Sequence, residues 1–104
     1  MIAMIKEVGQ TVRLIEIEDE LEALQAAVDG YIEVVPMPGT ARIRIICGEQ
    51  GKLKDKEPNF ALPAYHDVIV GAALFVADGG DGDFTDLIPS EIALIKDYLS
   101  SYME

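Results

Sequence analysis

A chain of 104 residues with half its residues hydrophobic and a formal net charge of -11 suits one core and is too short for two; disorder, which pairs high charge with low hydrophobicity, is excluded. Such acidity repels nucleic-acid phosphates, so generic DNA or RNA binding is not expected. One cysteine, Cys47, permits no intrachain disulfide, and no stretch has signal-peptide organisation or membrane-spanning length, so a reducing, cytoplasmic setting without a membrane partner is expected.

In chain order, residues 2–8 (IAMIKEV) and 11–18 (TVRLIEIE) are β-rich runs separated by Gly9 and Gln10, which reads as a hairpin. Leu21, Leu24 and Val28 fall at helical spacing, with acids in the first turn and Gly30 placed to end the helix, which predicts a helix over 19–29. YIEVVP (31–36) is the next strand and PMPGT the turn after it. ARIRIIC (41–47) alternates, with Ala41, Ile43, Ile45 and Cys47 on one face and Arg42, Arg44 and Ile46 on the other.

KLKDKEPNFALP (52–63) is too polar and proline-punctuated to read as a strand. DVIVGAALFVA (67–77) reads as one buried strand, in which Gly71 and Ala72 point to close packing against a neighbour. DGGDGD is a loop. A last helix begins at Pro89, with Glu91 in its first turn and Ile92, Ile95 and Leu99 on one stripe. The order predicts an α+β fold, a mostly antiparallel sheet with one internal and one C-terminal helix. So much apolar sequence in a small chain also predicts that some apolar surface meets another copy, a homo-oligomer.

No catalytic constellation emerges. His66 has Asp67 beside it, but Ser90, Ser100 and Ser101 lie in or near the final helix without a nucleophile-elbow sequence. Asp78, Asp81, Asp83, Thr85 and Asp86 invite a calcium reading. Counted from Asp81, however, the required glycine at position six is Asp86 and the bidentate glutamate at position twelve is Ile92. Gly79, Gly80 and Gly82 offer amides to a phosphate, yet the interleaved aspartates oppose an anion. Neither an enzyme activity nor a metal or cofactor is expected.

The charge distribution is uneven. Arg42, Arg44, Lys52, Lys54 and Lys56 are five of the eight cationic residues, against only Glu49 and Asp55 in the same span, so this segment carries +3 and the remainder -14. Arg42 and Arg44 share a strand face, and guanidinium forks grip phosphate bidentately. Lys52 adds a point charge, Asn59 a directional donor and acceptor, and Tyr65, with Phe60, a stacking surface. Arg42, Arg44, Glu49, Lys52, Asn59 and Tyr65 form the expected ligand-binding set. The competing reading is an edge hairpin whose lysines discourage strand pairing.

Three words of the sequence also carry a resemblance. LEALQAAVDGYIEVVP, ICGEQGKLKDKEPNFAL and DVIVGAALFVADGGDGDFTDL resemble, in order and spacing, a small family of bacteriophage and mobile-element domains of unknown function. The pattern is GxIEVV, then EGKL with PxNxAL, then DxIxG with DFxxL. Gly30 to Val35 match the first element. Glu49, Gly51, Lys52, Leu53, Pro58, Asn59, Ala61 and Leu62 match the second, and Asp67, Ile69, Gly71, Asp83, Phe84 and Leu87 the third. Lys54 to Glu57 form an added charged insertion between GKL and PN. The resemblance supplies no site residues. It implies a non-enzymatic accessory protein acting against host immunity inside the host cell. One form is a sponge that binds a phosphorylated nucleotide signal without cleaving it. The other is an acidic inhibitor that mimics DNA or blocks a defence protein.

Overall fold

The computed structural model describes residues 1–50 and 55–102. In chain order its elements are β1 (Ile2–Lys6), β2 (Arg13–Glu16), α1 (Leu21–Val28), β3 (Ile32–Pro36), β4 (Ile43–Gly48), β5 (Pro58–Leu62), a 3-10 turn (Pro63–Tyr65), β6 (Asp67–Val70), β7 (Ala73–Asp78), β8 (Phe84–Thr85) and α2 (Pro89–Tyr102). This is the α+β arrangement expected, with an antiparallel sheet, one internal helix and one C-terminal helix. The principal sheet runs β2-β1-β7-β4-β3, with β8 attached to β7, while β5 and β6 form a separate two-stranded sheet.

Alternation along β4 builds the layers. Ile43, Ile45 and Cys47 face a core shared with Met4, Phe75, Phe60, Leu62, Ile69, Ile95 and Leu99. Ile46 faces the opposite core with Ala3, Ile5, Leu74, Val76, Leu24 and Val28. One side of the principal sheet is thus covered by α1 and the other by α2 with the β5–β6 hairpin. Strands covered on both faces need apolar residues at every position, and all five residues from Ala73 to Ala77 are fully buried. Phe60 and Phe75 stack at 5.6 Å between centroids across the two sheets, and the Tyr98 hydroxyl of α2 donates to the Ala61 carbonyl at 3.1 Å.

Two expectations are corrected. Residues 67–77 form two strands in two different sheets, because the chain turns at Gly71, whose φ is +72°. Both halves are apolar, so periodicity carries no trace of the corner. Residues 58–62 form β5 where an irregular segment was expected. Pro58 stands at its first position, where a missing N–H is tolerated, and a bulge between Pro58 and Phe60 accompanies an Asn59 that is buried along with Phe60 and Leu62. The helix expected over 19–29 is shorter, Leu21–Val28, and Asp29 takes the left-handed conformation at its end.

Gly71 meets two constraints at once. Its φ is one that L-residues adopt at a cost of about 1–2 kcal/mol, and a Cβ there would lie 2.8 Å from Lys56 Cδ. Gly71→Ala is therefore expected to lower the unfolding free energy by about 1–2 kcal/mol in urea denaturation; an unchanged midpoint would show that the corner relaxes freely.

Candidate functional site

Strand pairing rearranges the basic segment. The β4–β7 register sets Arg44 opposite Val76 and Ile43 opposite Ala77, which brings Asp78 at the end of β7 beside the arginines. The Arg44 Nη2 lies 3.1 Å from Asp78 Oδ2, and its Nη1 donates to the carbonyls of Ala41 and Ile43. The first turn of α2 lies over the same sheet end. There Glu91 accepts both arms of the Arg42 fork, Nη2 at 2.8 Å and Nε at 3.1 Å, and also the Ile88 N–H at 3.0 Å. Lys56 Nζ pairs with Asp29 Oδ2 at 2.8 Å. All three cations of the segment that the structure describes are therefore ion-paired. Lys52, counted with the ligand set, and Lys54 lie outside the described residues.

The Arg42 hydrogen bonds hold the Glu91 carboxyl below the ordinary carboxylate range against an opposing effect of burial, and the same contact raises the Arg42 guanidinium. A depressed folded-state value means that the stabilisation is full above the ordinary carboxylate pKa and is lost as pH falls through the lower one. The gap in stability between the parent and Glu91→Gln should accordingly be largest above about pH 5 and close at more acid pH. Urea midpoints measured across that range check this, and a gap independent of pH would remove the ion pair as its cause.

Asn59 does not face solvent. It is 2% exposed, and its amide is fully engaged: Oδ1 accepts from Lys6 Nζ at 2.9 Å, while Nδ2 donates to the carbonyls of Lys6 and Gly71, each at 2.8 Å. It fastens the fold and offers nothing to a ligand, a correction to its expected role. Lys6 is 1% exposed, and its other acceptor is the Glu7 carbonyl at 2.8 Å. With neutral oxygens around it, burial lowers its pKa.

Glu49 and Tyr65, in contrast, meet. They line a cleft of about 290 Å³ between β3–β4 and β6, together with Glu33, Val35, Cys47, Leu62 and Asp67. The β3–β4 register places Glu33 opposite Cys47. The Tyr65 ring is partly exposed, and its hydroxyl donates to the Pro36 carbonyl at 2.7 Å. The Cys47 thiol is pushed up to about 11, first by burial and then by the charges of Glu33 and Asp67, the described charges that act on it. Glu33, Cys47 and Asp67 were missed in the sequence, where nothing short of the strand register brings them to Glu49.

Other candidates resolve locally. His66 is exposed, and its left-handed backbone ends the 3-10 turn. In the aspartate loop, Asp78 and Asp81 accept turn amides of Gly80 and Asp83, and Asp86 accepts the Ile2 N–H at 2.6 Å. Among the described residues no group of side chains is arranged to hold a metal ion, and no helix is long and apolar enough to cross a membrane.

Fold and cleft together define an α+β protein in which an acidic groove lies between a six-stranded frame and a small hairpin. The chain belongs to the family described as Domain of unknown function (DUF3846), whose profile matches residues 1–100. No curated protein and no solved structure matches it.

The Cys47 environment is directly measurable. A thiol pKa of about 11 leaves roughly a hundredfold less thiolate at neutral pH than an ordinary cysteine has. Iodoacetamide labelling should be slower by at least that factor in the folded protein and ordinary in urea. Labelling at the rate of free cysteine would place the thiol outside the negative cleft.

Proposed function

We propose that this protein is a non-catalytic binding module that sets an acidic surface against a cationic partner protein and so blocks it. In the bacteriophage or mobile-element setting implied by the sequence resemblance, the target is a host defence protein. One observation carries this reading: the described cations of the basic segment are consumed by Glu91, Asp78 and Asp29, while the cleft that keeps Glu49 and Tyr65 also holds Glu33 and Asp67.

The nucleotide sponge expected from the sequence fits this geometry less well. A phosphate that took Arg42 would have to displace Glu91, which already accepts both arms of that guanidinium. In the cleft a phosphate would meet carboxylates, each repelling it by about 3 kcal/mol at a separation of about 6 Å and an effective dielectric of about 20. A cationic side chain gains from the same groups.

Native mass spectrometry and calorimetry with cyclic dinucleotides and ADP-ribose derivatives at millimolar concentration should show no retained ligand. A partner isolated with the protein and then purified should be basic, bind with an affinity that falls as salt rises, and be displaced by duplex DNA. A nucleotide recovered bound and unaltered would reverse the conclusion in favour of sequestration.

A further inference from the structure

The principal sheet ends at β3, which among the described residues pairs only with β4. Two hydrogen bonds fix which of its backbone groups point away from the sheet: Glu49 N–H to the Tyr31 carbonyl at 2.7 Å and Met37 N–H to the Ile43 carbonyl at 3.0 Å. In an antiparallel ladder, alternate residues exchange both bonds with the neighbouring strand. Tyr31, Glu33, Val35 and Met37 therefore turn inward to β4, and Ile32, Val34 and Pro36 turn outward. Pro36 has no N–H, and its carbonyl is occupied by the Tyr65 hydroxyl. What remains is the N–H and C=O of Ile32 and of Val34, for which no partner exists among the described residues. These four groups are spaced as an incoming strand requires.

We infer that this edge receives an extended segment of the cationic partner as an added strand, with a lysine or arginine of that segment entering the acidic cleft. The inference rests on the function proposed above and names its contact. Val35 packs toward the core that holds Cys47, and Ile32 toward the opposite one. The side chains of an added strand thus alternate between the cleft, beside Glu33, and the surface where Val34 is 41% exposed. A cation suits the first set, and a β-branched apolar residue the second. At about 290 Å³ the cleft sits at the lower limit for small-molecule pockets, about 300–1,000 Å³, and is better matched to one long side chain.

A second copy of the chain is the other obvious strand, and the two antiparallel registers centred on this stretch, at Val34 and at Glu33, are both penalised. Centred on Val34, the pairing sets Ile32 against Pro36, which lacks the donor. Centred on Glu33, it sets Glu33 directly against its symmetry mate, a destabilising like-charge pair, between two chains of net charge -11. Strand addition by an oppositely charged partner meets neither obstacle.

The test uses the full chain and two capped eight-residue peptides, one alternating lysine with valine and the other glutamate with valine. The lysine peptide should bind, with an affinity that falls as salt rises, and should slow amide exchange at Ile32 and Val34 at least tenfold, read by NMR; the glutamate peptide should do neither. Val34→Pro removes an outward N–H at an edge position where proline is tolerated, and should weaken lysine-peptide binding at least tenfold while circular dichroism stays unchanged. Glu33→Gln combined with Glu49→Gln should weaken it as well.

Lysine-peptide binding with unaltered exchange at Ile32 and Val34, or with full affinity in a folded Val34→Pro protein, would overturn the edge and leave the acidic-surface reading standing. Equal protection by the glutamate peptide would overturn the cationic occupant. A parent dimer in light scattering that Val34→Pro dissociates would assign the edge to a second copy. If Val34→Pro fails to fold, the exchange measurement on the parent decides alone. Absence of lysine-peptide binding overturns the inference, and the function proposed above falls with it only if the purified basic partner also fails to bind.

Discussion

The amide of Asn59 is the fastening on which both sheets depend. Three hydrogen bonds join the end of β1, the bulge of β5 and the corner at Gly71, and the Gly71 N–H closes the same corner on the Glu57 carbonyl at 2.8 Å. The three bonds of the Asn59 amide are buried, so each group must find its partner inside or lose the full desolvation cost, and this requirement constrains how the hairpin docks. Lys6 makes the constraint stricter. Its ammonium lies among neutral oxygens, an arrangement that remains satisfied only while Asn59 is in place. Where β6 stands over β4, and hence the cleft, follows from this small network more than from the apolar contacts around it, which are non-directional.

Electrostatics in this protein is decided by register. A run of cations along the chain has no meaning for a ligand until the neighbouring elements are known, and here β7 carries Asp78 and α2 carries Glu91. Pairs with carboxylates as accessible as those of Asp78 and Asp29 add little stability. What the pairs at Arg42 and Arg44 do is occupy the guanidinium forks with carboxylates already in place. The cleft shows the reverse: Glu33, Glu49 and Asp67 are far apart in sequence, and folding concentrates them around one thiol.

Much of the fold could be read from the chain. The alternation of 41–47 placed Ile43, Ile45 and Cys47 on one side and Ile46 on the other, as the two cores confirm. The turn at Gly9, the acid-started helix and the proline-started helix were legible for the same reason, that local chemistry dictates them. The corner at Gly71 was not, because a strand buried on both faces and two consecutive buried strands look alike in hydrophobicity. β5 was hidden by Pro58 and Asn59, whose polarity is spent internally. Of the candidate site, Glu49 and Tyr65 reach the cleft, whereas the roles of Arg42, Arg44 and Asn59 depended on pairings between residues about 30 to 50 positions apart, beyond any local pattern. The words PxNxAL and DxIxG, which carry part of the family resemblance, prove to be the two strands of one hairpin, bonded directly through Asn59 and Gly71.

β4 and β7 lie side by side in the principal sheet, yet the chain makes its whole β5–β6 excursion between them. Topologically the hairpin is an insert in the connection of an otherwise continuous antiparallel pair, tethered at both ends to neighbouring strands of the same frame. Substitutions at exposed positions of its cleft-facing wall, such as Tyr65, alter one side of the groove, whereas Ile69, buried in the core that holds Ile45 and Phe75, ties the insert to the frame. The insert is thereby divided into a wall that shapes the groove and a buried strip that it shares with the frame.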